Sequence, residues 1–445
     1  MLMTHTPTLP PARIQRTMRL STLEGSITQL FINWTTGSVL TGYLLHLGAG
    51  PKELALVAAV PMLAQVVSPF AALLAARFGS RKTLSALFAA LGRGLWILAA
   101  LLPLLNLPHA WATPVLVALV AVSAVFQAAC GSLWSAFMGD VVPDRERGRY
   151  FGMRTGVAGV VGMLGNLAAG VVLDRLAAPL NFQVVLGVGV LCALIGAALV
   201  LLHDEPPIPR QRVDLRATFT APWRDRNFRR FLAFSTHWHF SVMLAGPFVF
   251  AYFLGQLHLS FTQIAVWSAI ASSCALVTSW WWGRVADHVG NKPVLRFGTI
   301  LAGVGLPGSW ILAGLSGRVE FIWLSAVLDA VAWGAIGPAL FNLALGSAPR
   351  EGRTAFFAMF SLVSGLAGCV GGLIAGPLLS GFLAHPLTTS LFTWTGYHTL
   401  FALSGVARAN SWLLLRRVRE PGEARLREGV RAVRVRGRTP VNAGD

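Results

Sequence analysis

The chain has 445 residues, of which 55% are hydrophobic and only 12% charged, against roughly 25% charged in a soluble domain. A water-soluble fold of this length would need polar surfaces that the composition does not supply. The formal charge of +18 lies in short loops and tails and forms no stripe interleaved with aromatics, which excludes a nucleic-acid partner.

Residues 1–24, with Arg13, Arg16 and Arg19, read as a cytoplasmic N-terminal tail. The apolar run after them is long and uncut, so it reads as a first span and not as a cleaved signal. Apolar stretches of about 20 residues, the length that crosses a hydrocarbon core, then recur along the chain. They are expected at 25–47, 54–76, 84–105, 112–137, 150–173 and 180–202, an N-terminal six-helix bundle over 25–202. The polar stretch 203–228, with Pro206, Pro207, Pro209 and Pro222, reads as a cytoplasmic linker. Spans at 229–254, 263–286, 294–316, 320–345, 356–380 and 391–415 give a C-terminal six-helix bundle over 229–415, and 416–445 is a basic cytoplasmic tail. The expected fold is thus an all-α integral membrane protein with twelve transmembrane helices in two pseudo-symmetric six-helix bundles. Helices are the solution because each satisfies its own backbone in lipid.

Charge sets the expected orientation. Of the 36 Lys and Arg, 30 fall in the tails and one set of alternate loops, and three (Lys52, Arg175, Arg318) in the other set. Both termini are therefore expected on the cytoplasmic side of a plasma (inner) membrane. The halves repeat. Gly159, Gly162, Gly165 and Gly170 of the fifth span recur as Gly365, Gly368, Gly371 and Gly376 of the eleventh, and Tyr43 matches Tyr252. Small residues at this spacing let helices approach closely. Cys130, Cys192, Cys274 and Cys369 all fall in spans and read as small apolar residues.

The run Gly283-Arg284-Val285-Ala286-Asp287-His288-Val289-Gly290-Asn291-Lys292 resembles the cytoplasmic loop motif of the major facilitator superfamily (MFS), Gly-x-x-x-Asp-x-x-Gly-x-Lys/Arg. The resemblance covers nearly the whole chain. The first-half copy keeps Gly79 and Arg81 but has Ala76 where Asp is expected. Gly290 suits a tight turn, and the Asp287 carboxylate can sit on a helix N-terminus. The resemblance implies that this helix is span five, with Arg149 or Arg154 as cationic partner, in a clamp that releases as the protein opens inward. The alternative is that these residues are only cytoplasmic anchors around a turn glycine. The resemblance also places the glycine-bearing spans five and eleven between the halves. Span five lacks the proline of the drug–proton antiporters, and Ala124, near Gln127, stands where they carry arginine, which weakens that assignment.

The same resemblance implies a cavity lined by spans one, four, seven and ten. Those spans carry Gln29, Asn33, Trp34, Gln127, Trp134, His237, Trp238, His239, Asp329, Trp333 and Asn342. Polar groups in hydrocarbon are costly and are functional candidates by default. Asp329, read as the only acid well inside a span, must be paired or protonated. His237 and His239 are candidates for a proton relay or for plain hydrogen bonds between helices. Arg93, deep in span three, is a candidate for an anionic substrate or for interhelical pairing, and Arg408 is expected as an anchor near a helix end. Trp280, Trp281 and Trp282 suit an interfacial belt.

No phosphate-binding loop and no cluster with metal-ligand spacing occurs, so neither cofactor, metal nor enzymatic activity is expected. The expected function is secondary active transport of a small solute by alternating access, proton-coupled, with efflux of amphipathic compounds preferred over uptake of a small polar solute. A non-transporting sensor or scaffold and a lipid flippase are rivals on the same fold. The expected partners are a small-molecule substrate, the lipid bilayer and a proton, with the chain acting as a monomer.

Overall fold

The computed structural model describes residues 9–143, 145–206, 215–349, 353–390 and 392–420. Parts of the expected tails and most of the proline-rich linker stretch lie outside these residues. The rest is almost entirely helical. The first half comprises α1 (Pro11–Trp34), α2 (Gly37–His46), α3 (Pro51–Ala64), α4 (Ser68–Phe78), α5 (Arg81–Leu101), α6 (His109–Val141), α7 (Arg147–Arg175) and α8 (Leu180–Leu201). A short α9 (Leu215–Arg224) lies in the expected linker. The second half follows with α10 (Arg226–Ala245), α11 (Val249–Gly255), α12 (Phe261–Val289), α13 (Asn291–Ser316), α14 (Glu320–Ser347), α15 (Arg353–Leu383) and α16 (Gly396–Leu415).

Among the described residues, nine helices are long and apolar enough to cross a membrane. Two of the other expected spans are broken helices. The first divides at Thr35 and Thr36 into α1 and α2, where Gly37 takes a positive φ of 59°. The second divides at a 3-10 turn, Gln65–Val67, just before Pro69, since proline lacks the N–H that would continue a helix. Pro247 breaks the seventh in the same way, between α10 and α11. Two boundaries differ from expectation. Helix α1 starts at Pro11, well inside the expected tail, and α16 starts at Gly396, after a two-stranded ladder pairing Leu387–Thr388 with Thr393–Trp394.

The chain divides into two compact units. One holds residues 1–212 with 247–266, and the other 213–246 with 267–445. Helix pairings recur in both. In the first unit α1 packs on α7 and α8, and α5 packs on α6 and α8; in the second α10 packs on α15 and α16, and α13 packs on α14 and α16. The glycine rows explain part of this. A side chain at Gly162 would meet Gln29 and Asn33, one at Gly165 would run into Leu30, and one at Gly371 would lie 2.6 Å from the carbonyl of Phe240. Gly162 and Gly165 thus seat α1 on α7 and Gly371 seats α10 on α15, whereas Gly159 faces open space and Gly170 lies against Phe261 and Thr262. Tyr43 and Tyr252 are both fully buried, and the Tyr43 hydroxyl donates to the Ala99 carbonyl at 2.6 Å.

The loops carrying the two motif copies share one construction. Gly79 (φ 77°) and Gly290 (φ 88°) both adopt positive φ, which accounts for glycine at each turn. In each case a glutamate from the end of the same half caps the helix that follows. Glu205 accepts from the Arg81 N–H and the Ser80 hydroxyl, both at 2.7 Å. Glu420 accepts from the N–H groups of Asn291 and Lys292 at 2.8 and 2.7 Å. These carboxylates satisfy N–H groups that have no partner within their helix and meet the positive end of its dipole. The capping segments are themselves tied down. The Asp204 N–H donates to Thr17 at 3.0 Å, and Asn227 exchanges hydrogen bonds with the backbone of Arg419. Beside Glu205, His203 is 1% exposed and stacked on Phe137. Burial pushes its imidazole from 6.5 down to about 4.

The two turns differ in how they would tolerate a side chain. Gly79 has open space around a Cβ, so Gly79→Ala is expected to cost only the left-handed backbone term, about 1–2 kcal/mol. A Cβ at Gly290 would meet the Glu420 carboxylate at 2.9 Å, and its ψ of 166° lies in a region nearly exclusive to glycine. Gly290→Ala is therefore expected to lower the apparent Tm more than Gly79→Ala; an equal or smaller loss in purified protein would contradict this account. For His203, the unfolded chain binds a proton between about pH 6.5 and 4 that the folded chain refuses. Its contribution to stability is complete above that window and is lost as pH falls through it. The drop in apparent Tm between about pH 7.5 and about pH 5 is expected to be smaller in His203→Phe than in the wild type.

Candidate functional site

The charged groups at depth gather into one cluster per unit. In the first unit the centre is Glu24, a residue that the expected span boundaries placed in the tail. Helix α1 carries it as a buried residue, 4% exposed. Asp329 is therefore not the only acid inside the helices. Arg154 of α7 donates to Glu24 at 3.3 Å and to the Ser21 carbonyl at 3.1 Å. Its guanidinium lies over the Trp134 ring of α6, 4.2 Å from the centroid. Gly25 makes room for it, since any side chain there would collide with the guanidinium. Glu24 also accepts from Thr28 at 3.2 Å, and Arg93 donates to Thr28 at 3.3 Å and to the Ala193 carbonyl of α8 at 3.1 Å. Arg93, 8% exposed, thus joins α1, α5 and α8.

The other first-half candidates lie further along α1 and on α6. Gln29 donates to Asn33 at 2.8 Å on the α1 face seated by Gly162. The Trp34 indole donates to the Gly165 carbonyl at 3.2 Å and is buried. Gln127 faces α5 instead. It donates to Ser123 at 3.0 Å, and Ser123 donates to the Gly92 carbonyl at 2.7 Å.

In the second unit Asp329 is half-buried on α14, in the field of Arg408 and beside the Trp333 indole. Arg408 is 2% exposed and lies about two turns before the end of α16, buried against its neighbours and not exposed at a helix end as an anchor would be. It donates to the Val242 carbonyl of α10 at 3.1 Å and to the Ala302 carbonyl of α13 at 3.4 Å. It is therefore a three-helix junction like Arg93 and not an anchor. Both histidines are half-buried and hydrogen-bonded. His237 bonds the Ala407 carbonyl of α16 at 2.9 Å, whereas His239 bonds the Ser235 carbonyl of its own helix at 2.9 Å. Ser235 also bonds Ser364 of α15 at 2.7 Å. Trp238 is buried against Trp333, with ring centroids 5.9 Å apart. Asn342 is exposed.

The loop-motif residues divide. Arg81 is buried and pairs with Asp140 at 2.6 Å and with Glu205 at 3.5 Å. Lys292 lends its N–H to Glu420. Gly283 is half-buried, and Arg149 is exposed. Asp287 is exposed, with no hydrogen-bond or ion-pair partner among the described residues. Arg154, expected as its cation, is engaged by Glu24. Other acids sit on helix N-termini, among them Glu205, Glu420, Asp174 and Asp225, the last accepting from the Phe228 N–H at 2.6 Å. Within the first unit, Asp174 accepts from the N–H groups of Phe261 and Thr262 at 2.9 and 2.8 Å. Of the three tryptophans before the motif, Trp280 is exposed under the Arg284 guanidinium, whereas Trp282 is 5% exposed and packs on Phe297, so they do not form one belt.

A signal for the missed residues exists in the sequence. A Glu-Pro pair, Glu205-Pro206 and Glu420-Pro421, follows the last helix of each half. Glu24 had no such signal, because the polar start of α1 depresses its hydropathy. Among the described residues no group of His, Cys, Asp or Glu is placed to hold a metal ion.

We find no characterised protein whose sequence matches the chain. Its fold is similar to that of several solved proteins. A point mutant of the nucleoside transporter NupG superposes with a TM-score of 0.71 at 12% identity, over 91% of this chain and 100% of that one. A bacterial homologue of the human lysosomal transporter Spinster, inward-facing and unoccupied, gives 0.70 at 15% identity over 93% and 100%. A D-xylose–proton symporter gives 0.68 at 15% identity over 94% and 99%. The family model for the Major Facilitator Superfamily matches residues 25–372, most of the chain. The sequence match and the helical architecture agree, and the chain belongs to the Major Facilitator Superfamily of transporters.

Proposed function

We propose that the protein is a proton-coupled secondary transporter that exports amphipathic compounds by alternating access across the inner membrane. The observation that carries this reading is Asp329. It is a half-buried carboxylate near the middle of α14, in the field of Arg408 but in no direct ion pair among the described residues. A carboxylate so placed can exchange its counter-charge for a proton as its aqueous side changes. Trp333 beside it and Trp238 against Trp333 supply aromatic surface near the same place, which suits an amphipathic cargo. Proton coupling lies within the reach of this fold, since a D-xylose–proton symporter shares it. The Lys and Arg distribution supports cytoplasmic termini, and the helix pairings repeated in each half suit a transporter built from parallel repeats.

The test is proton movement in proteoliposomes loaded with a pH-sensitive dye. A panel of amphipathic compounds of each charge type is added under an imposed pH gradient. At least one compound is expected to drive proton movement in the wild type. Asp329→Asn is expected to abolish that movement while leaving exchange of the same compound across the membrane. Undiminished proton movement in Asp329→Asn would remove Asp329 from the coupling step.

A further inference from the structure

Around Glu24 the described residues of the first unit set two guanidiniums, Arg93 and Arg154, against this one carboxylate. Both cations act on that single acid. At Asp329 the second unit sets one carboxylate against one guanidinium, Arg408. A net positive charge out of water is expensive unless something compensates it. Three buried donors near the excess also lack a partner among the described residues, the Ser21 hydroxyl, the Arg93 Nε and the Trp134 Nε1. Charge and orphan donors call for the same thing, an acceptor that carries negative charge.

Arg154 is the cation positioned to take it. Its side chain keeps 18% exposure where that of Glu24 keeps 5%. Arg93, by contrast, is committed to Thr28 and the Ala193 carbonyl. Around Arg154 the surface is aromatic: Trp134 lies under the guanidinium, and Phe151 lies 6.4 Å from Trp134 between ring centroids.

We propose that Arg154, Trp134 and Glu24 form a binding site for an amphipathic aromatic carboxylate. The ligand's carboxylate takes the planar guanidinium, which suits two parallel hydrogen bonds. Its ring packs among Trp134 and Phe151. Glu24 gives up Arg154 and stays with Thr28 and the field of Arg93. The unit then holds two opposite pairs in place of three charges, which supplies the driving force for specificity. The site rests on the transport reading above, for which it names the class of cargo, but its binding step is measurable without transport.

Purified full-length protein in detergent is titrated by calorimetry with 1-naphthoate, with 1-naphthalenemethanol and 1-naphthylmethylammonium as the neutral and cationic counterparts. Naphthoate is expected to bind saturably, about ten-fold or more tightly than either counterpart, as a charge-assisted pair allows. Arg154→Gln is expected to lose that advantage, Arg154→Lys to keep part of it, and Trp134→Phe to weaken binding less than Arg154→Gln. Glu24→Gln removes the internal competitor and is expected to tighten binding, a gain that a misfolded variant cannot produce. No saturable binding of naphthoate, a preference for the ammonium, or equal binding by wild type and Arg154→Gln overturns the site. If the site fails while proton movement by other compounds persists in proteoliposomes, the cargo class falls and the transport reading stands.

Discussion

A charge held in hydrocarbon has to find its partners inside the chain, and the interior of this protein is arranged around that demand. Arg93 and Arg408 meet it with backbone carbonyls, and Arg93 with the Thr28 hydroxyl as well. A helical carbonyl already accepts one bond within its helix and retains a second lone pair. Arg93 uses that of Ala193, and Arg408 uses those of Val242 and Ala302. Each guanidinium thereby reaches two helices besides its own, α1 and α8 in one unit and α10 and α13 in the other. The demand recurs in both halves, and each half met it with its own residue, since the two arginines come from non-corresponding helices, α5 and α16.

The same accounting governs the helix ends. A helix that starts at the membrane edge presents N–H groups without partners. Glu205, Glu420 and Asp174 satisfy them at α5, α13 and α12. Glu205 and Glu420 come from the ends of their own halves, so each motif loop is bound back to the bundle it belongs to. Asp287 makes no such contact among the described residues, and the first loop has Ala76 in the equivalent place. The loop motif therefore has two parts with different duties. Its glycine and the residues after it build a capped turn inside each half, and its acid remains exposed.

Much of this was legible in the sequence where the physics is local or periodic. The length of apolar runs set the helices, the positive-φ turns at Gly79 and Gly290 followed from glycine in the loop motif, and the spacing of Gly162, Gly165 and Gly371 announced close packing. What stayed hidden depends on distance along the chain or on a helix that does not look like a span. Glu24 stands in a polar stretch that a hydropathy reading assigns to a tail, although tertiary burial makes it the centre of the first cluster. The role of Arg408 was hidden because its partners, the carbonyls of Val242 and Ala302, lie on helices far from it along the chain. Arg154 was legible as a cation of span five, but its partner Glu24 lies 130 residues away. Glu205 and Glu420 looked like ordinary linker acids because capping is a contact between distant segments.

The difference between the units bears on how such a chain can work. Repetition gives both halves the same helix pairings and the same capped turns, so the frame alone favours neither half for binding or coupling. Charge breaks the tie. Asp329 and Arg408 are matched in number but not in direct contact among the described residues, which is the feature on which the proposed proton coupling rests. Glu24 is in direct contact with Arg154, yet it is outnumbered by two guanidiniums, which leaves a cation responsive to an anion. A cargo anion and a proton would then be held by different halves of one frame. On that reading no single side chain is shared between the anion and the proton.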